Sequence, residues 1–541
     1  MKPIIQWAAM CAFVVRCHLL TLPLPPMGFN NWARFTTNNS ESIFVEAAEA
    51  MSRNGLLAAG YNRLNLDDAW STMARAQNGS MVWDPVKFPR GLPWLTEHVR
   101  SKGFIPGIYT DAGSASCAGY PGSLGHEETD VADFRAWGFE YLKLDGCHLP
   151  PGSEVTYREV YGRWATVMAE TGESMVFAVS APAYLSDRDK LADFYAGMLW
   201  ASLYGNVARH SADVATHARG DGWRSIMANY DHHVGLARFQ RPGYFNDADL
   251  LIPDQWSLSM DEKKSQFALW CTFSAPLLLS ADIPSLSDEV LAIFTNERLI
   301  AVNQDPLVQQ GTLVRRSYYW DILAKNLDNG DRLVTILNRG AFADSVHVSW
   351  EEVGFFSLAS AAAAAVHVTD LWSGQNESIP VSAGGITRNG VPSHGTAVLR
   401  IAKTTPGSPF RPTGIILNTA SRRCLTDSPS GSITWAECEE SHAQVWTVSA
   451  RGRIRSLSRP DKCVVDEGGR VRSRSDGCDV HAWNYHISGN LVNGASWRCL
   501  TESPDGSALA EPCGHLLDEQ VVALPAGVEL VGLLVSERQR D

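Results

Sequence analysis

Between residues 25 and 300 the chain alternates short apolar runs with amphipathic stretches, and this alternation limits the fold more than any other feature. YNRLNLDDAW (from Tyr61), FIPGIYTDAG (from Phe104), EYLKLDGC (from Glu140), MVFAVSAPAY (from Met175), PGYFNDADLL (from Pro242) and APLLLSADI (from Ala275) read as buried strands. Between them, ESIFVEAAEAMSRNG, LPWLTEHVRSKG and EETDVADFRAWG read as helices, each closing on a glycine suited to a left-handed C-cap. Repeated strand–helix units imply a parallel sheet with helical crossovers, here a (β/α)8 barrel over residues 21–306. Acids recur where these strands end: Asp67, Asp68, Asp111, Asp145, Asp247 and Asp249. In a barrel those ends converge on one face, where active sites form. A single acid at such a place is ordinarily a helix N-cap, and Asp247 is read that way. Six on one face would repel one another, and capping does not need them all.

The chain has 541 residues, more than one core accommodates, so the expected architecture is multidomain, α/β plus all-β. After NQDPL (Asn303 to Leu307) the pattern becomes alternating apolar and polar residues around Asn-Gly and Gly turns, an antiparallel β-sandwich over 307–402. SLASAAAAAV within it reads as a loop insert. Residues 403–413 form a Pro/Gly/Ser linker. Six cysteines follow, Cys424, Cys438, Cys463, Cys478, Cys499 and Cys513, with gaps of 14, 25, 15, 21 and 14. Their regular spacing reads as one disulfide per repeat (424–438, 463–478, 499–513) in a β-trefoil over 414–530, followed by a tail over 531–541. Cys271, in an apolar stretch, is left free.

Residues 1–20 have one lysine before an apolar run too short to span a bilayer and of signal-peptide length, so the chain is expected to be secreted. Sequons at Asn38, Asn78 and Asn376 are the expected glycosylation sites. The net charge is −13 without a basic block, which argues against nucleic-acid and anionic-membrane partners.

Lys143 and Asp145 are two apart, so on a strand they share a face, which in a barrel is the interior at the rim. A lysine there is costly unless paired, and it favours an ionised aspartate that can act as nucleophile or metal ligand. No His/Asp/Glu cluster with ligand spacing accompanies the pair, so no metal and no cofactor are expected. Spacing alone leaves a structural ion pair as the equal alternative.

PPMGFNNW, LNLDDAW, GIYTDAG, SCAGYPG, YLKLDGC, ARHSAD and NDADLL run in the order and spacing of glycoside hydrolase family 27, the α-galactosidases and α-N-acetylgalactosaminidases. The chain most resembles the secreted fungal α-galactosidases that carry a C-terminal ricin-type domain. The resemblance implies a retaining hydrolase of oligosaccharide or polysaccharide α-galactosides, with Asp145 as nucleophile and Asp213 as acid/base. It implies that Asp213 has a raised pKa while Asp145 stays charged. Trp32, Asp67, Asp68, Tyr109, Cys117, Lys143, Tyr184, Arg209 and Asp249 match substrate-pocket positions. Cys117 and Cys147 match a disulfide between two catalytic loops.

Ser180 and Ala183 fall where strict animal α-galactosidases carry Glu and Leu. Small residues there resemble the N-acetylgalactosaminidase pattern, which leaves room for a 2-acetamido group. The fungal relatives also show Ser and Ala, so α-galactosidase is ranked first and α-N-acetylgalactosaminidase is the alternative. From a different class, the alternative is a carbohydrate-binding protein without catalysis. Phe29 replaces a common Trp, Ala248 interrupts the usual Asp-Pro-Asp, and Thr37 and Ala69 stand where many relatives have a pair of cysteines. The ricin-type Gln-x-Trp motif survives only at Gln444–Trp446, against His481–Trp483 and Gln520–Val522. Thr426, Val465 and Thr501 replace its binding aspartates, so glycan binding by the trefoil is expected to be weak at most.

Overall fold

Eight short runs pair in parallel: β1 (Met27–Asn30), β2 (Arg63–Leu66), β3 (Ile105–Asp111), β4 (Tyr141–Asp145), β5 (Val176–Val179), β6 (Val207–Arg209), β7 (Phe245–Asp247) and β8 (Leu277–Leu279). They follow the order β7-β6-β5-β4-β3-β2-β1-β8 in the computed structural model, which describes residues 22–150, 153–170, 175–186, 191–356, 365–403 and 410–531. The signal peptide, most of the linker and of the tail, and most of the Ala-rich insert lie outside the described residues. A single parallel bridge, Leu251 to Leu279, joins the two ends of the sheet and closes the barrel. The chain divides into two compact units, residues 1–233, 241–270 and 275–300 forming the first, and 234–240, 271–274 and 301–541 the second.

All six strands anticipated above form. β1 (MGFN) and β6 (VAR) were not among them. The anticipated helices span Glu41–Arg53, Leu92–Ser101 and Glu127–Ala136. Gly55, Gly103 and Gly138 follow them with φ of 90°, 93° and 94°, the left-handed backbone that glycine adopts without strain. Strand register puts Tyr109 beside Lys143, Asp111 beside Asp145, and Arg209 beside Asp247. Main-chain pairing thus fixes Tyr109, Asp111, Lys143, Asp145, Arg209 and Asp247, while Asp67, Asp68, Asp213 and Asp249 stand on the loops that follow the strands.

In the second unit, a six-stranded antiparallel sheet and a two-stranded one share a core that includes Ile322, Val334, Val348, Trp350, Val368 and Leu399. Beyond it one hairpin recurs three times, Cys424–Asp427 with Ile433–Ala436, Cys463–Glu467 with Arg470–Arg474, and Arg498–Glu502 with Ala508–Pro512. Each is closed by its own disulfide, 424–438, 463–478 and 499–513. The three hairpins wrap a common core of Leu425, Trp446, Val464, Trp483 and Leu500, a β-trefoil. Cys271 is free and buried.

Candidate active site

The C-terminal rim of β1 to β7 gathers the acids. Asp67, after β2, is buried and accepts from Lys143 Nζ at 2.9 Å and from Asn30 Nδ2 at 2.6 Å. Asp68 accepts from the backbone N–H groups of Ala69 (2.6 Å) and Ala118 (2.9 Å). Burial still raises its pKa, against those bonds. Lys143 lies 5.1 Å over the Tyr109 ring and 3.9 Å from Asp145 Oδ2. Asp145 Oδ1 accepts a short bond from the Tyr184 hydroxyl. That hydroxyl sits 3.1 Å from Cys147 Sγ, and Tyr157 stacks on the Tyr184 ring at 5.8 Å.

Across the mouth, Asp213 follows β6. Trp32 Nε1 donates to its Oδ2 at 3.1 Å, and Arg209 NH2 donates to its Oδ1 at 3.1 Å. The other guanidinium arm, NH1, pairs with Asp249 Oδ1 at 2.9 Å. Arg209 is a strand residue held between two acids. Asp249, at φ 78°, accepts from Val214 N at 2.7 Å, which ties β7 to the loop behind Asp213. Asp247 accepts from Asp249 N and braces this turn, so the helix-cap reading of Asp247 does not hold. A helix is not close enough in sequence for it to cap: the next starts at Met260.

The electrostatics run opposite to the expectation from sequence. Burial raises the Asp145 pKa, with Asp213 and Asp67 adding to it and Lys143 and the Tyr184 bond opposing. For Asp213 burial also pushes upward, but Arg209, Lys143 and the Trp32 bond outweigh it, and the pKa is lowered. The difference lies in the partners: Arg209, Lys143 and the Trp32 N–H all favour ionised Asp213, whose side chain is 57% exposed, whereas Asp145, 15% exposed, has Lys143 and Tyr184 set against burial and two neighbouring acids.

Several supporting residues escaped the sequence reading. Asn30 and Asn31 grip Asp67, the first by its side chain and the second by accepting the Asp67 N–H at 2.8 Å. Asp111, already singled out as a rim acid, accepts from the N–H groups of Cys147 (2.9 Å) and Gly113 (2.7 Å), a bracing role for the two loops that the Cys117–Cys147 disulfide joins. Thr37 and Ala69 are bridged without cysteines, because Lys87 Nζ donates to the Thr37 carbonyl at 2.9 Å and the Ala69 carbonyl at 2.6 Å. Asn30 and Asn31 could have been suspected from NNW beside β1; a lysine 18 residues beyond Ala69 gives no such signal. Ser180 is buried at the end of β5, and its Oγ has no hydrogen-bond partner among the described residues. Asp111, Cys117 and Cys147 form the one cluster of potential metal ligands among the described residues, and the disulfide removes both thiols from that role. No helix of the described residues is long and apolar enough to cross a membrane.

Three family models match the chain in succession: alpha galactosidase A over residues 24–305, the alpha galactosidase C-terminal beta sandwich domain over 317–401, and the ricin-type beta-trefoil lectin domain over 412–521. The alpha-galactosidase A of Aspergillus niger is 44% identical over 517 residues, covering 94% of this chain and 93% of that one. Among solved structures, alpha-galactosidase I of Mortierella vinacea superposes with a TM-score of 0.63 at 26% identity, over 72% of this chain and 99% of its own. The Saccharomyces cerevisiae α-galactosidase with raffinose does so with a TM-score of 0.61 at 25% identity, over 70% and 97%.

Proposed function

This chain belongs to the alpha galactosidase A (melibiase) family and is an α-galactosidase, and we propose that it releases terminal α-D-galactose by double displacement with retention. The observation that carries the mechanism is the pairing of two acids of unlike environment around one lysine and one arginine. Asp145 is largely but not fully buried beside Lys143, and Asp213 is half-exposed on Arg209. Tyr184 occupies Asp145 Oδ1, so Oδ2 is the atom free to attack the anomeric carbon. As the C1–Oδ2 ester forms, the glycosidic bond breaks, and Asp213 gives its proton to the leaving oxygen. The Asp213 carboxylate then takes a proton from water, the water oxygen bonds to C1, and Asp145 leaves as a carboxylate.

The inverted resting electrostatics are compatible with this order. A sugar over Asp213 strips its water, and that desolvation raises its pKa. The positive charge developing at C1 stabilises ionised Asp145. Asp67, Asp68 and Lys143 are assigned to the hydroxyls at the far end of galactose, with Trp32, Tyr109 and Cys117 as walls and Arg209 and Asp249 on the leaving side. The substrates expected are melibiose, raffinose-type oligosaccharides and galactomannan side chains. Asn38, Asn78 and Asn376 are all exposed, in keeping with a glycosylated, secreted chain.

A retaining pair requires carboxyl groups about 5–5.5 Å apart, against about 6.5–9.5 Å for inversion. Proton NMR of the first product tests this: α-galactose is expected, and β-galactose would exclude the mechanism. The partnerless Ser180 Oγ beside the small Ala183 favours one second reading, action on α-N-acetylgalactosaminides. Parallel kinetics on the two nitrophenyl glycosides decide between them.

A further inference from the structure

Trp256 is 71% exposed and is the only exposed Trp, Tyr or Phe among the described residues of the barrel unit. It stands on the loop between β7 and the helix Met260–Phe273, at the same end of the strands as the acids. The loop is held rather than free. Trp256 Nε1 donates to the His217 carbonyl at 3.1 Å, and Gln255 Nε2 donates to the Thr216 carbonyl at 3.0 Å. His217 N in turn donates to the Ala33 carbonyl at 2.7 Å, and Arg34 Nε donates to Asp254 at 2.7 Å. Three segments are thereby knotted together: the one carrying Trp32, the one running on from Asp213, and the one carrying Trp256.

The position of this knot sets what the ring can meet. Trp32 bonds Asp213 directly, and His217 is four residues beyond Asp213, at most about 14 Å along the chain. The group that protonates the leaving oxygen lies by necessity on the leaving-group side of the sugar. An indole left in water at that rim, with its N–H already spent on a backbone carbonyl, presents an apolar, electron-rich face. The C–H groups on one face of a hexopyranose are complementary to such a surface.

We propose that Trp256 is a specificity residue on the leaving-group side, a platform on which the sugar next to the scissile bond stacks, so that the enzyme favours α-galactosides whose leaving group is itself a hexose. This rests on the assignment of Asp213 as acid/base. Binding realised beyond the reacting centre is used in the transition state, so the effect falls on kcat/KM.

The test compares melibiose, whose leaving group is glucose, with α-galactosyl fluoride, whose leaving group reaches no platform and needs no acid. Trp256→Ala is expected to lower the ratio of kcat/KM for melibiose over the fluoride about tenfold. Trp256→Phe, which keeps a ring but loses the N–H, retains most of that ratio. The proposal is overturned if the alanine variant leaves the ratio unchanged, if it depresses both substrates alike, as a prop for the Asp213 loop would, or if the phenylalanine variant loses as much as alanine. The parent assignment is read separately: Asp213→Ala should still turn over the fluoride while losing melibiose. Failure of that contrast removes the acid/base assignment and the platform with it.

Discussion

The barrel mouth and the trefoil both carry polar side chains at positions suited to sugars, but they use them differently. At the mouth the polar atoms are only partly matched: Asp145 Oδ2 has Lys143 at 3.9 Å, Asp213 is half in water, and Ser180 Oγ has no partner among the described residues. In the trefoil the equivalent groups have closed on one another. Gln444 Nε2 donates to Thr426 Oγ1 (3.0 Å) and to the Glu437 carbonyl (2.8 Å), and its Oε1 accepts from Glu439 N (2.8 Å). Gln520 repeats the arrangement with Thr501 Oγ1 (3.0 Å), the Pro512 carbonyl (3.0 Å) and Gly514 N (2.8 Å). Each glutamine grips the backbone on both sides of the second cysteine of its repeat. A surviving motif can thus report the fold alone, whereas acids left imperfectly satisfied on a rigid rim report chemistry.

The largest expected effect tests the open half of this contrast. Asp145→Ala and Asp213→Ala should each lower kcat on melibiose at least about 10³-fold, while Gln520→Ala leaves turnover unchanged. Azide separates the two roles. With Asp145 removed it attacks from the face the carboxylate used and gives β-galactosyl azide; with Asp213 removed it attacks the glycosyl ester and gives the α anomer. Exchanged anomers would reverse the assignment, and a wild-type rate in either variant would remove that residue from the mechanism.

How much of this was legible follows from the range of each signal. The barrel was legible because its strands are apolar runs and its helices end on glycines, which are local features. The rim acids were legible because each closes a strand. The clamp that Lys87 places on the Thr37 and Ala69 carbonyls was not legible, since nothing in a lone lysine names two distant backbone oxygens. The inverted pKa order of Asp145 and Asp213 was hidden for a related reason. Spacing shows that Arg209 is near Asp213, not that Lys143 and the Trp32 N–H also reach it across the barrel mouth.

Next in size are the disulfides, each of which should be worth about 2–4 kcal/mol. Replacing Cys117 and Cys147 by Ala should lower both the unfolding midpoint and kcat, because the loops they join carry Ala118 N to Asp68 and Cys147 N to Asp111. Replacing Cys463 and Cys478 should lower stability with turnover retained. A trefoil variant that lost activity while still folded would break the separation between the regions.

Two buried groups, one in each unit, should contribute to stability with opposite dependence on pH. Burial pushes Asp111 up to about 6, so the folded chain keeps a proton there that the unfolded chain has lost. Its stabilisation is full below about pH 4 and is lost as pH rises through about 6. In the second unit, burial pushes Lys325 down to about 7, although Nζ donates to the carbonyls of Cys271 (3.2 Å) and Val302 (3.0 Å) and to Ser274 Oγ (2.8 Å). There the unfolded chain holds the extra proton, so stability rises from pH 7 towards about 10.4. Denaturant titrations of Asp111→Asn at pH 4–6 and Lys325→Met at pH 7–10 should each flatten only the corresponding slope. An unchanged slope in either variant would place its origin elsewhere.

The smallest effect probes the closed half from inside the trefoil, where the three repeats form a natural control. The first repeat has both motif residues, the second only the tryptophan, the third only the glutamine. Trp446 Nε1 donates to the Leu425 carbonyl at 2.8 Å and Trp483 Nε1 to the Val464 carbonyl at 2.9 Å, so the indoles do one backbone task and the glutamines another. In the second repeat His481 stands in the glutamine's place, its Nδ1 lacks a partner among the described residues, and the cysteine separation is 15 rather than 14. Gln444→Ala would strand the Glu439 N–H and the Glu437 carbonyl in a site where the glutamine is 1% exposed, which should cost about 1–3 kcal/mol. Gln520→Ala should cost the same, and His481→Ala less than about 0.5 kcal/mol, as for a surface change. Native-state hydrogen exchange at Glu439 and Gly514 reads the clamp directly: the amide freed in each glutamine variant should lose protection while the other keeps it. Equal costs for all three variants would mean that the second repeat has a clamp of its own. If Gln444→Ala instead gained retention on immobilised galactose, the trefoil would be a lectin site held shut by its own glutamine, and the contrast with the barrel would be one of degree.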